Sequence, residues 1–374
     1  MSKRVDIVSD HLISALGSGS EENFNKLLNN RTGITMHNNG KYSDNMLPLG
    51  SINDEWLSQW AYNNELPEGF TRFEKLSILS ISEALKDTSI DISSEDTLLV
   101  LSTTKGNVDL IEYPEMHNKL DLWYSAHQIA GYFKAKNRPR LISNACISGV
   151  VALMYAQWQL KEGRYKHAVV VGADTLSKFV VSGFESFMSL SSEICKPFDK
   201  NRDGLTIGEA AATMVLSTQE KGKVSIVKGA TANDANHISG PSRTGEGLFQ
   251  AIKHTLDNED IQIDFISAHG TATPYNDDME SIAITRSGLN NVPVNGFKGY
   301  VGHTLGAAGI VEVIYSLWSM YHNKIIKTFG YNEFGVVEKV NIIDRNITKE
   351  LNNVLKTASG FGGCNSALLL KKNG

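Results

Sequence analysis

Residues 141–172, LISNACISGVVALMYAQWQLKEGRYKHAVVVG, read as a strand, a tight turn, a helix and a second strand. Positions 141–143 form a short apolar run, 146–160 space apolar residues as a helix does until Gly163 closes it, and 168–172 are continuously apolar. A strand–helix–strand unit of this length is a building block of layered α/β folds. Cys146 stands at its first junction, in a turn of small residues.

The pattern extends in both directions. Toward the N-terminus, 5–9 and 97–101 read as strands, and 21–28 and 73–86 as helices. The turn TTKGN follows at 103–107, then a helical stretch through 129, while 32–69 read as polar surface loops. On the other side the polar segment STQEKGK (217–223) divides the chain into halves, 1–220 and 221–374. The second half offers strands at 224–227, 265–267 and 293–295, a helix from 277, a long helix ending near 321, and two closing strands, 355–359 and 367–370. The turn GFGGCN between the last two predicts an antiparallel hairpin, and the alternation elsewhere predicts mainly parallel strands.

Composition removes several function classes. A chain of 374 residues that is 41% hydrophobic can bury a large core, so disorder is excluded. With 36 basic against 41 acidic residues and no run of like charge, nothing prepares it for nucleic acid. No apolar stretch is long enough for a membrane span, and MSKRVDIVSD lacks a signal-peptide core, so a cytoplasmic setting is expected. Three cysteines without CxxC spacing suggest neither a disulfide framework nor zinc.

Three segments carry chemistry: SNACISG around Cys146, HGTATPYNDD from His269, and KGYVGHTLGAAG from Lys298 through His303. Each sets a Gly/Ala/Ser-rich turn against an apolar run, which presents one reactive side chain at the end of a packed element. At the head of a helix, Cys146 should have a lowered pKa and backbone N–H donors for a tetrahedral oxyanion. The bland alternatives are a buried cysteine, a capping histidine and small-residue helix packing. The separations, 123 residues from Cys146 to His269 and 34 from there to His303 (269 − 146; 303 − 269), weigh against a metal centre. A Cys/His protease would leave the second histidine and Lys298 without a role.

With CKPFDKNRDGLTIGEAAATMVL (195–216), DANHISGPSRTGEG (234–247) and GFGGCN (360–365), six ordered motifs over almost the whole chain resemble the β-ketoacyl-acyl carrier protein synthases. These are the elongating, decarboxylating branch of the thiolase superfamily. The resemblance implies a five-layered α-β-α-β-α fold made of two similar halves and a dimer with two active sites. It implies that Cys146 is acylated by a thioester on acyl carrier protein, with the backbone N–H groups of Cys146 and Phe361 as oxyanion hole. It further implies that His269 and His303 hold a malonyl thioester carbonyl while carbon dioxide leaves, and that the carbanion extends the chain by two carbons. Lys298 matches an active-site lysine, Glu312 its acidic partner, and Asp277 a supporting residue. Thr271 and Thr273 match contacts to the phosphopantetheine arm, and Phe361, beside Gly362, matches a gate between the acyl and malonyl pockets. No metal and no separate cofactor are implied, since the substrates ride on the carrier's phosphopantetheine.

The match departs in places. The chain is short between 101 and 146, Asn144 replaces a usual Thr, Ile147 follows the nucleophile, Gly299 stands where Ser often follows the lysine, and Asn236 replaces a frequent aromatic. These leave open the acyl chain, fatty acid against polyene or polyketide synthesis, and homodimer against heterodimer. Two other readings remain: a non-catalytic chain-length partner subunit, which would lack the nucleophile, and a degradative thiolase, for which Cys364 would be the second cysteine.

Overall fold

The structure, a computed structural model, describes residues 3–38, 40–234, 237, 240–259 and 261–374. Asn236 lies outside the described residues.

Ten strands and six helices position the site. The strands are β1 Val5–Ser14, β2 Thr97–Ser102, β3 Arg140–Ile142, β4 His167–Asp174, β5 Ala210–Ser217, β6 Val224–Asn233, β7 Phe265–Ala268, β8 Pro293–Gly296, β9 Asn353–Gly360 and β10 Cys364–Lys372. The helices are α1 Arg72–Leu85, α2 Leu122–Tyr132, α3 Ser148–Lys161, α4 Glu246–Leu256, α5 Pro274–Arg286 and α6 Ala308–His322. The strands join one sheet in the order β8-β7-β9-β10-β6-β1-β5-β4-β2-β3. Its two flanks repeat one pattern: β3, β2 and β4 are parallel, then β5 and β1 antiparallel; β8, β7 and β9 are parallel, then β10 and β6 antiparallel.

Strands buried on both faces need a helical layer on each side. In β2, Leu99 and Leu101 face α1 and α2, while Leu98 and Val100 face the central helices α3 and α6. In β10, Leu368 and Leu370 face those same helices from the opposite side, and Ala367 and Leu369 face α4 and α5. The two flanks of the one sheet therefore sandwich α3 and α6, and the layers run helix, sheet flank, helix, sheet flank, helix, the thiolase-like five-layered arrangement. At its centre α3 and α6 cross at two glycines. A Cβ on Gly149 would lie 2.8 Å from Ile310 N, and one on Gly309 would lie 2.5 Å from Val150 N. The small residues of LGAAG thus let two helix backbones touch, which brings the Cys146 turn and the His303 loop to one place.

Three expectations are corrected. The strands are mixed rather than mainly parallel, because β1 inserts between β5 and β6 and pairs antiparallel with both; a local pattern does not reveal pairing over some 200 residues. The stretch 32–69 is not only loop: Leu47–Gly50 is a buried strand parallel to Ile207–Gly208, and Asp54–Asn63 is a helix. Such a short strand has too few residues to show a period. Helix α3 starts at Ser148, so Cys146 precedes it.

Candidate active site

Cys146 is placed by a turn whose bonds are local. Ala145 adopts a left-handed φ of 44°, and the Ser148 hydroxyl accepts from Asn144 N at 2.7 Å and donates to the Ala145 carbonyl at 2.6 Å. The turn leaves Cys146 half-buried on a cavity of about 480 Å³. Across from it, the GFGG turn of the β9–β10 hairpin brings the Phe361 backbone N–H to the sulfur. Enclosure pushes the Cys146 thiol up to about 12, against a downward pull from the Lys298 ammonium and the Phe361 N–H. The expected lowering of this pKa is therefore corrected: loss of water outweighs the favourable dipoles, and the resting group is a thiol.

His269 follows β7, and two buried carboxylates of α5 hold its loop. Glu280 accepts from His269 N at 2.8 Å and Gly270 N at 2.6 Å; Asp277 accepts from Thr271 N at 3.0 Å, Ala272 N at 3.2 Å and Phe198 N at 2.7 Å. Burial, with the neighbouring Glu280 charge, pushes Asp277 up to about 7. Thr271 and Thr273 line the cavity and share a hydrogen bond of 2.9 Å.

His303 is fixed on the opposite side. Its N–H donates to the Thr206 carbonyl at 2.7 Å, and Gly302, at φ 77°, packs so close to Gly208 that a Cβ would lie 2.6 Å from Gly208 N. Beyond it, Asp174 accepts from Gly306 N at 2.7 Å and from the Thr103 hydroxyl at 2.6 Å, which ties the start of α6 to β2 and β4.

The ring nitrogens of His269 and His303 have defined roles. Leu305 N donates to His303 Nδ1 at 3.1 Å, and Lys298 Nζ lies 3.2 Å from His269 Nδ1. With both Nδ1 atoms accepting, each Nε2 carries the hydrogen. His303 Nε2 is buried and has no hydrogen-bond partner among the described residues. Both imidazoles are pushed well below their ordinary pKa, first by burial and then by the Lys298 charge, so both are neutral. Their ring centroids are 5.1 Å apart, and the Cys146 sulfur and one nitrogen from each ring lie within 4.8 Å of one another.

Lys298, fully buried, donates to the His269 carbonyl and pairs with Glu312 Oε1 at 2.6 Å. The structure thus brings together Cys146, His269, His303, Lys298 and Glu312 as a cluster, with Asp277 behind it. Phe361 packs on Phe184 and Phe187 at centroid distances of 5.8 and 5.5 Å, at the cavity wall. Gly362 does not line the cavity; its left-handed φ of 83° serves the turn. Gly299 is explained by space, since a Cβ there would lie 2.9 Å from both Phe329 O and Phe329 Cβ.

Sequence reasoning missed Lys356, which pairs with the other oxygen of Glu312 at 2.6 Å. Its only signal is a charge inside an otherwise uncharged strand. The separation argument against a metal also fails in space, as the 4.8 Å cluster shows. What opposes a dication here is charge: the buried Lys298 ammonium stands at His269 Nδ1, and Lys356 lies beyond it on Glu312. Cys364, the candidate second cysteine, turns its thiol to the Phe361 carbonyl at 3.3 Å and lies outside the cavity wall.

A thiol, two neutral imidazole donors and backbone N–H groups around one cavity define a site for acyl transfer through a covalent thioester. Residues 2–222 match the family model described as Beta-ketoacyl synthase, N-terminal domain, and 224–332 match Beta-ketoacyl synthase, C-terminal domain. The chain belongs to the β-ketoacyl synthases, condensing acyltransferases of the thiolase superfamily. It is 30% identical to the putative mitochondrial 3-oxoacyl-[acyl-carrier-protein] synthase of Schizosaccharomyces pombe, over 99% of each chain. Its fold matches the ishigamide ketosynthase/chain length factor (TM-score 0.89, 22% identity, 100% of both chains). It also matches a ketosynthase in complex with its chain length factor from Xenorhabdus doucetiae (TM-score 0.86, 24% identity, 99% of this chain and 98% of that one). Among the described residues no helix is long and apolar enough to cross a membrane.

Proposed function

We propose that this enzyme performs a decarboxylative Claisen condensation on carrier-bound thioesters. Cys146 attacks an acyl thioester; the tetrahedral oxyanion is held by the N–H groups of Cys146 and Phe361, the carrier thiol leaves with the proton, and acyl-Cys146 remains. A malonyl thioester then enters past Thr271 and Thr273, which bind its phosphopantetheine arm. Its thioester carbonyl accepts from the Nε2–H groups of His269 and His303, so that loss of carbon dioxide leaves a stabilised enolate. The enolate carbon attacks acyl-Cys146, the C–S bond breaks, and Cys146 regains a proton. The product is a 3-oxoacyl thioester longer by two carbons.

The single observation that carries this reading is the unpartnered, buried Nε2 of His303 beside a second neutral imidazole, both facing the thiol. In a hydrolase one imidazole would serve as the base for water; here both Nδ1 atoms accept and both Nε2 atoms carry the hydrogen. Lys298 and Glu312 keep His269 in its tautomer, Asp277 holds the loop, and Phe361 with Gly362 gates the acyl side. No metal and no separate cofactor enter the reaction. Acyl carrier protein is the partner, and a second synthase-like chain, identical or related, completes the assembly. The names of the relatives, a carrier-protein synthase and ketosynthases with chain length factors, support both. The division of the chain falls at 220/221, and three free thiols fit a cytoplasmic setting.

The test is mass spectrometry of the protein mixed with acyl carrier proteins bearing different acyl chains, followed by malonyl carrier protein. An acyl adduct on Cys146 that disappears as a product two carbons longer forms is expected. No adduct, or an adduct that never elongates, would sink the reading.

A further inference from the structure

Strand β9 carries a lysine into the interior. Lys356 is completely buried, which costs several kcal/mol for an ammonium group unless charge and hydrogen bonds compensate. Its Nζ lies 2.6 Å from Glu312 Oε2 and donates to the carbonyls of Ser267 and Ala268, both at 3.2 Å, and of Thr357 at 2.5 Å. Glu312 therefore stands between two lysine side chains, one on each oxygen; burial pulls the Lys356 pKa down, and the Glu312 carboxylate, the next largest influence, pulls it back up. Both ammoniums grip the same piece of chain. Lys356 holds the end of β7 through Ser267 and Ala268, and Lys298 holds the next residue, His269, by its carbonyl and Nδ1.

We propose that Lys356 is a second positioning lysine of the condensing site: it fixes Glu312 and the end of β7 so that Lys298 stays on His269 Nδ1 and the imidazole presents its Nε2–H to the malonyl carbonyl. The proposal rests on the decarboxylation described above. Lys356 touches no substrate and acts through Glu312, the β7 backbone and its charge.

The charges around the imidazoles give the proposal a sign. Facing them are Lys298 from the turn after β8, Lys356 from β9, Glu312 from α6, Glu280 and Asp277 from α5, and the Cys146 thiol. Glu280 is occupied by His269 N, Gly270 N and the Thr357 hydroxyl, and burial pushes its pKa up. Glu312 is the carboxylate in direct contact with both lysines, and both lysines, after burial, disfavour imidazolium at His269 and His303. Removing a cation makes the imidazoles easier to protonate, so the acid limb of decarboxylation moves to higher pH. Removing the Glu312 anion moves it to lower pH.

The experiment measures carbon dioxide release from malonyl carrier protein across pH for the wild type, Lys356→Met, Glu312→Gln and the double variant. For Lys356→Met we expect kcat to fall roughly ten- to hundredfold with KM little changed. Its acid limb should rise by about one pH unit. Glu312→Gln should shift the limb the opposite way, and the double variant, which removes one charge of each sign, should lie between. A purely structural lysine lowers the rate at every pH and leaves the limb in place; that result in folded Lys356→Met would overturn the proposal. If Lys356→Met does not fold, Glu312→Gln and the double variant decide, and coincident limbs in those two overturn it. Wild-type protein that releases no carbon dioxide would refute the proposed function instead. In that case histidine titration by NMR on the same proteins still tests Lys356, with unchanged imidazole titration contradicting it.

Discussion

The thiol wall and the imidazole wall of the cavity are held in different ways. Around Cys146 the fixed contacts are a left-handed residue, one serine hydroxyl and a backbone N–H from the facing hairpin. Around His269 they are charged: Glu280 and Asp277 grip the loop, and Lys298, Glu312 and Lys356 stand behind the ring. A wall without charges of its own leaves the sulfur protonated, so its proton must be given up as the acyl group arrives, ending on the departing carrier thiol. A wall with fixed charges sets its imidazoles in advance and needs no rearrangement when the enolate forms. Nucleophile and electrophile are thereby tuned separately although they share one cavity.

The largest effect that should divide the two walls is expected for His303→Ala. Loss of a preorganised donor should cut malonyl decarboxylation and elongation by roughly 10²- to 10³-fold. Acylation of Cys146, followed by mass, should suffer less. Normal elongation by this variant would contradict the two-imidazole arrangement.

A smaller effect concerns the thiol alone. Because enclosure pushes Cys146 up to about 12, its alkylation by iodoacetamide should rise about tenfold per pH unit between 7 and 10, with no plateau near neutrality. A plateau by pH 7 would mean a standing thiolate, held down by the helix N-terminus, and would make the two walls alike.

The same contrast explains what the sequence reveals. The strand–helix–strand unit around Cys146, the closing hairpin and the Gly-rich turns of His269 and His303 are local patterns, and the structure places all three reactive side chains on one cavity. Lys298 and Glu312, fourteen residues apart, are also local enough to be paired on paper. Lys356 is not, because its partners Ser267, Ala268 and Glu312 come from another strand and a helix. The insertion of β1 between β5 and β6 is hidden for the same reason. The Cys146 pKa is not legible in the sequence, because a helix N-terminus is visible there and desolvation is not.

The most direct test of separate walls is carbon dioxide release by Cys146→Ala given malonyl carrier protein. The imidazole wall is intact in this variant, so decarboxylation should continue while no 3-oxoacyl product forms. A folded Cys146→Ala protein that releases no carbon dioxide would show that the thiol is part of the decarboxylating machinery, and would contradict the division of labour described here.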